Sequence, residues 1–183
     1  MVCLPQTFVV VPQLVELTRW AVQIGSDNQT VSLQLDTGSP LTWVNPDCSK
    51  MPDRTERERA SCFKRPRYNP FTSTTAHIRD QSFNNTYGTG SILGSYFTDN
   101  IKIGSLVAKN ALFGVAAATR DIEAGILGVG AKPDGYPETV METLTSQGQI
   151  KSHVYSIDLK SINETGTLHE SKNTASCANG FVQ

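Results

Sequence analysis

The sequence predicts an all-β domain, and three observations carry that prediction. Glycine, serine and threonine are plentiful and spread evenly along the chain. Short segments that alternate apolar and polar residues lie between them, as in strands that bury one face. The best helix candidate is the short stretch 139–146, with Val140, Met141 and Leu144 at helical spacing. At 183 residues the chain can bury one good-sized core, so one main domain is expected.

In chain order, residues 1–14 read as an extension. Thr7-Phe8-Val9-Val10-Val11 is apolar, but Pro5 and Pro12 bracket it and no basic residue precedes it, so it matches a secretory leader poorly. Trp20, Val22 and Ile24 then alternate, Gly25-Ser26-Asp27-Asn28 makes a turn, and Val31, Leu33 and Leu35 alternate again, which predicts a hairpin. At the tip of its second strand stands Asp36-Thr37-Gly38. A carboxylate there is presented on rigid scaffolding, although the same three residues also make a good turn. The segment 47–67 is the most charged of the chain, with Lys50, Arg54, Arg57, Arg59, Lys64, Arg65 and Arg67 set among Asp47, Asp53, Glu56 and Glu58. It reads as a solvated loop, or else as an electrostatic rim that selects acidic peptide segments. Cys48 and Cys62 bracket most of it, as a disulfide in an oxidising compartment or as two free thiols.

Residues 83–87 and 91–97 flank Gly88-Thr89-Gly90 as the arms of a second hairpin. Ile101, Ile103, Ala111, Phe113 and Val115 continue the alternation, and Gly125-Ile126-Leu127-Gly128 fits a buried strand with glycine bends. Beyond Leu159, residues 160–183 are rich in Ser, Thr and Asn and read as a disordered tail or a wrongly translated end. Formal net charge is −1 and Lys and Arg are not concentrated over long stretches, which argues against nucleic acid as a partner. No apolar run has the length of a membrane span. The three histidines, His77, His153 and His169, are scattered, and no Cys/His spacing suggests a metal site. Asn28-Gln29-Thr30, Asn84-Asn85-Thr86 and Asn163-Glu164-Thr165 fit the glycan acceptor pattern and agree with a secretory route.

Asp36-Thr37-Gly38-Ser39 runs into Pro40-Leu41-Thr42-Trp43-Val44; Tyr87-Gly88-Thr89-Gly90-Ser91 and Gly125-Ile126-Leu127-Gly128-Val129-Gly130 follow. In that order and spacing these segments resemble the N-terminal lobe of the pepsin-like aspartic proteases. The resemblance spans residues 15–159. It takes in Ile24-Gly25, Tyr68-Asn69-Pro70, Ser73-Thr74-Thr75, Phe113-Gly114, Gln147-Gly148-Gln149-Ile150 and Tyr155-Ser156-Ile157-Asp158-Leu159, and looks most like the fungal secreted and yapsin-like branch. It implies an aspartic endopeptidase that cleaves peptide or protein substrates in acid. Such an enzyme is blocked by pepstatin-like inhibitors, needs no metal or organic cofactor, and is secreted or vacuolar.

By the same resemblance Asp36 is catalytic, Thr37 and Gly38 hold its turn, and Ser39 hydrogen-bonds close by. Tyr87, with Gly88 and Thr89, caps a flap over the peptide, its hydroxyl meeting the indole N–H of Trp43. Ile126 belongs to a segment that supports the catalytic turn and contacts substrate, and Cys48 and Cys62 close a small disulfide loop. Core filling for Trp43 and a strand-end aromatic for Tyr87 remain open. The chain departs from the family at Pro40, where serine is more usual, and at Ala124, where aspartate is frequent. Glu123 stands where an aromatic often lines the first substrate pocket, and an acid there is expected to favour basic substrate residues.

Two carboxylates are needed for this hydrolysis. They face each other across one water and share one proton, because like charges so close cannot both ionise. A lone exposed aspartate, with a pKa of about 3.9, is too weak a base. Glu164-Thr165-Gly166 is the nearest echo of a second motif, but its polar surroundings offer no buried strand. The chain is therefore expected to be a truncated half, inactive without a C-terminal lobe. A non-catalytic peptide- or protein-binding module and a homodimer of single lobes are the alternatives.

Overall fold

A computed structural model of the protein describes residues 6–7, 19–88, 90–158 and 167–170. The strands are β1 (Gln6–Thr7), β2 (Arg19–Ile24), β3 (Gln29–Asp36), β4 (Trp43–Val44), β5 (His77–Tyr87), β6 (Gly90–Ile103), β7 (Leu106–Arg120), β8 (Gly125–Gly128), β9 (Tyr155–Asp158) and β10 (Thr167–Glu170), with helices α1 (Glu56–Phe63) and α2 (Val140–Ser146). This is the expected all-β lobe.

Seven strands form one sheet in the order β2-β3-β8-β4-β7-β6-β5. β2 also pairs with β6 at Val22–Ile103 and Ile24–Ile101. Six strands thus close into a barrel-like ring, and β5 stays outside it on β6. The alternation read in the sequence accounts for the inward face. Trp20, Val22 and Ile24 of β2, with Val31, Leu33 and Leu35 of β3, meet Ile101, Ile103, Phe113 and Leu127 in one buried core. Leu144 of α2 closes that core from one end with no exposed surface. Both predicted hairpins form, with Ile24 opposite Gln29 and Tyr87 opposite Gly90.

β6 serves two purposes along its length. Its first part carries β5, and its last residues carry β2. Asp99 lies at the elbow between them, fully buried. It accepts hydrogen bonds from the Tyr68 hydroxyl at 2.7 Å, from the Thr75 hydroxyl and from the Asn100 N–H. A buried carboxylate tolerates its site when donors surround it in this way. Burial pushes the Tyr68 phenol well up, and the Asp99 carboxylate beside it adds to the rise.

The solvated loop expected over 47–67 is instead an ordered lobe. Thr55 and Glu58 form a reciprocal capping box that starts α1. Cys48 and Cys62 are joined by a disulfide with Cα atoms 5.7 Å apart, and with Met51 they make a small buried cluster. Asp121 anchors the lobe to the end of β7: its carboxylate accepts the Asp53 N–H at 3.0 Å, and its carbonyl accepts from the Arg54 guanidinium. α1 escaped the sequence reading because Cys62 is its one buried residue, so no apolar stripe marks it.

The expected helix at 139–146 is α2, started by the Thr139–Glu142 capping box. A correction applies to the tail. Thr167–Glu170, read as part of a disordered end, is β10, paired with β9 on one side and with β1 on the other. The remainder of the 1–14 extension, Thr89, Asn163 and Glu164-Thr165-Gly166 lie outside the described residues. No helix among the described residues is long and apolar enough to cross a membrane.

Candidate active site

Asp36 ends β3, where β8 runs parallel beside it with Asp36 opposite Gly128. Its Oδ1 accepts the Gly38 N–H at 2.8 Å, and its carbonyl accepts the Val129 N–H at 3.0 Å. The carboxylate is therefore held by its own turn while the strand beneath is fixed by β8. Thr37 and Gly38 are exposed at the turn, and Ser39 is buried behind it, its hydroxyl accepting the Leu41 N–H at 3.2 Å. Two glycines make the close approach possible. A Cβ on Gly128 would sit 2.6 Å from the Leu41 carbonyl oxygen, and one on Gly130 would sit 2.6 Å from that of Thr37. The Gly128 N–H also donates to the Thr42 hydroxyl at 3.2 Å.

Tyr87 and the exposed Gly88 lie at the tip of the β5–β6 hairpin. The Trp43 Nε1–H donates to the Tyr87 hydroxyl at 3.1 Å, with the two rings tilted and 6.5 Å apart. Trp43 is fully buried in a second apolar cluster with Leu41, Phe83, Ile92, Tyr96, Ile122 and Ile126, and Tyr87 and Tyr136 pack against it. Ile126 pairs directly with Trp43 across β4 and β8. Burial raises the Tyr87 phenol, while hydrogen bonds to Ser39, Trp43 and Asn85 pull it part of the way back. The phenol is therefore protonated throughout acid and neutral pH and keeps a proton to donate.

Asp36 and Gly38 are thus bonded within one turn, Ser39 follows in that turn and bonds Tyr87, and Trp43, Tyr87 and Ile126 share one apolar cluster. Cys48 and Cys62 lie apart from these, in the charged lobe. Glu123, the acid expected to favour basic substrate residues, has partners within the chain. Its carboxylate takes a 2.9 Å ion pair from Arg19, and its carbonyl accepts from Arg65. Ile122 and Tyr136, which complete the apolar cluster, were missed. Ile122 follows a residue at positive φ and Tyr136 follows a glycine turn, so neither belongs to a periodic pattern.

A family model of eukaryotic aspartyl proteases matches residues 19–169. The chain belongs to that family. The match runs past residue 159 into β10. Among curated relatives of this aspartyl protease lobe, the acid extracellular protease of Yarrowia lipolytica is 30% identical over 161 residues, which cover 85% of this chain and 38% of that protein. Pepsin II-1 of Oryctolagus cuniculus is 28% identical, with 80% of this chain and 38% of that protein covered. Candidapepsin of Candida tropicalis is 31% identical over 76% of this chain and 37% of its own length. The lobe therefore spans less than two fifths of these relatives.

Proposed function

We propose that this lobe is one half of a secreted or vacuolar aspartic endopeptidase. Asp36 supplies one of the two carboxylates, and a second lobe outside these 183 residues supplies the other. The observation that carries this reading is the Asp36 carboxylate fixed by the Gly38 N–H at 2.8 Å, in one site with a hairpin whose Tyr87 is tied to Trp43. In the complete site the ionised carboxylate takes a proton from a water lying between the pair. The protonated carboxylate donates to the scissile carbonyl oxygen, and water adds to the carbonyl carbon to give a tetrahedral intermediate. Proton transfer to the amide nitrogen then expels the amine. Tyr87 closes over the peptide, excluding water and orienting the bond. Names such as "acid extracellular protease" among the relatives support acid peptide hydrolysis and an extracellular site, and the Cys48–Cys62 disulfide agrees with an oxidising compartment.

The test begins with the transcript, read through and beyond the codon for Gln183. A continuing frame with a second Asp-Thr/Ser-Gly, whose product cleaves protein in acid and loses that activity in Asp36→Asn, supports the reading. Cleavage by the 183-residue chain alone, linear in concentration and unaffected by Asp36→Asn, would overturn it. A rate rising with the square of concentration would instead assign the second carboxylate to a second copy.

A further inference from the structure

We propose that the cleft between the disulfide lobe and the end of β7 binds acidic side chains of a peptide held in the candidate active site. The proposal rests on the endopeptidase reading and adds a substrate class to it. The cleft is an open cavity of about 660 Å³, within the range of ligand sites. Lys50, Arg59 and Arg120 line it together with the apolar Met51, Pro52 and Ala118, and no carboxylate is among its lining residues. Arg59 is a fixed cation, donating to the Met51 and Arg54 carbonyls, which hold the guanidinium without neutralising it. Arg120 is 69% exposed, and its Nε meets Asp121 at 3.3 Å. Asp121 divides its carboxylate between this contact and the Asp53 N–H, and Asp47 accepts from the Ser49 N–H and hydroxyl. Lys50 and Arg59, with the exposed Arg120, thus give the lining an excess of cations over carboxylates.

The cleft adjoins the candidate site. Arg120 is paired with Ser91 of the hairpin strand β6, and Ile122, two residues further on, packs in the cluster under Tyr87. The Lys50 carbonyl accepts the Asp121 N–H at 2.9 Å, which ties the two walls together. An extended peptide advances about 3.3 Å per residue. A peptide lying under the hairpin therefore offers the cleft a side chain from its flank, away from the bond at Asp36.

Fluorescence anisotropy of the full chain tests this, with a labelled extended peptide bearing several glutamates against its glutamine counterpart at pH of about 6, where carboxylates are ionised. The expected result is binding about tenfold tighter for the acidic peptide, as two partly screened charge pairs supply. That advantage should vanish in Lys50→Gln/Arg120→Gln, with circular dichroism unchanged. It should also fade as salt rises from 0.1 M to 1 M and the Debye length falls from about 10 Å to about 3 Å. Equal binding of the two peptides, or an undiminished advantage in the double variant, overturns the proposal. So does preference for a sulfated polysaccharide with the same dependence on Lys50 and Arg120, which would make the cleft a polyanion site. The assay needs no turnover, so failure here and failure of Asp36-dependent cleavage are separate results.

Discussion

Gly128 and Gly130 occupy positions where one methyl group would collide with backbone rather than with a side chain that can swing aside. Gly128→Ala is therefore expected to cost about 1–3 kcal/mol through overpacking, lowering the melting temperature by about 2–4 °C per kcal/mol. A melting temperature within a degree of the unsubstituted chain would show that β8 moves away at no cost. The Trp43–Tyr87 hydrogen bond is a second test at this scale. Trp43→Phe and Tyr87→Phe should each destabilise the chain, and a double-mutant cycle should give a coupling of about 1 kcal/mol; no coupling would reduce Trp43 to core filling. The Trp43–Tyr87 contact was legible through the family resemblance alone, since the two residues lie 44 apart in the chain and no period links them. The partner of Glu123 was not legible, since Arg19 is 104 residues away in the chain and no spacing rule links the two.

The charged lobe makes predictions as an element. Reduction, or Cys48→Ala/Cys62→Ala, should remove about 3 kcal/mol by freeing the closed loop in the unfolded chain, and an unchanged denaturation midpoint would contradict that. Acid should loosen the same lobe. Hydrogen bonds from Ser49 hold Asp47 below its ordinary value, the Asp53 N–H holds Asp121 down, and the Thr55 hydroxyl holds Glu58 down. A carboxylate whose pKa is lowered by folding stabilises the fold fully above its unfolded value, 3.8 for Asp and 4.5 for Glu, and loses that contribution as pH falls through the lower folded value. The Ser49 and Asp53 amide resonances should therefore shift below pH 3.8. Shifts centred at or above that value would mean that the anchors are not held down. The capping signal Thr55-x-x-Glu58 was available in the sequence. It was outweighed by a run of charges that reads as solvent-facing and that in fact makes local hydrogen bonds.

At the scale of the molecule, alternation predicted the strands but not the ring they form. The β2–β6 pairing that closes it joins residues 22–24 to 101–103, a contact that hydrophobic period does not encode. Tyr68-Asn69-Pro70 and Ser73-Thr74-Thr75 were legible only as part of a resemblance. The structure supplies their physical reason, because Tyr68 and Thr75 both donate to Asp99 at the elbow of β6. The elbow separates two differently supported sets of strands. Among the described residues β5 pairs in the sheet only with β6, whereas β2 and β3 lie within a closed circuit of partners. Amides of the β5 arm should exchange with deuterium through small excursions that leave the rest intact, and those of β2 and β3 only when the whole fold comes apart. Equal protection across both sets would show one cooperative unit. With unequal protection, the hairpin is a shutter hung on a frame: it can swing while the frame that holds Asp36 keeps its shape.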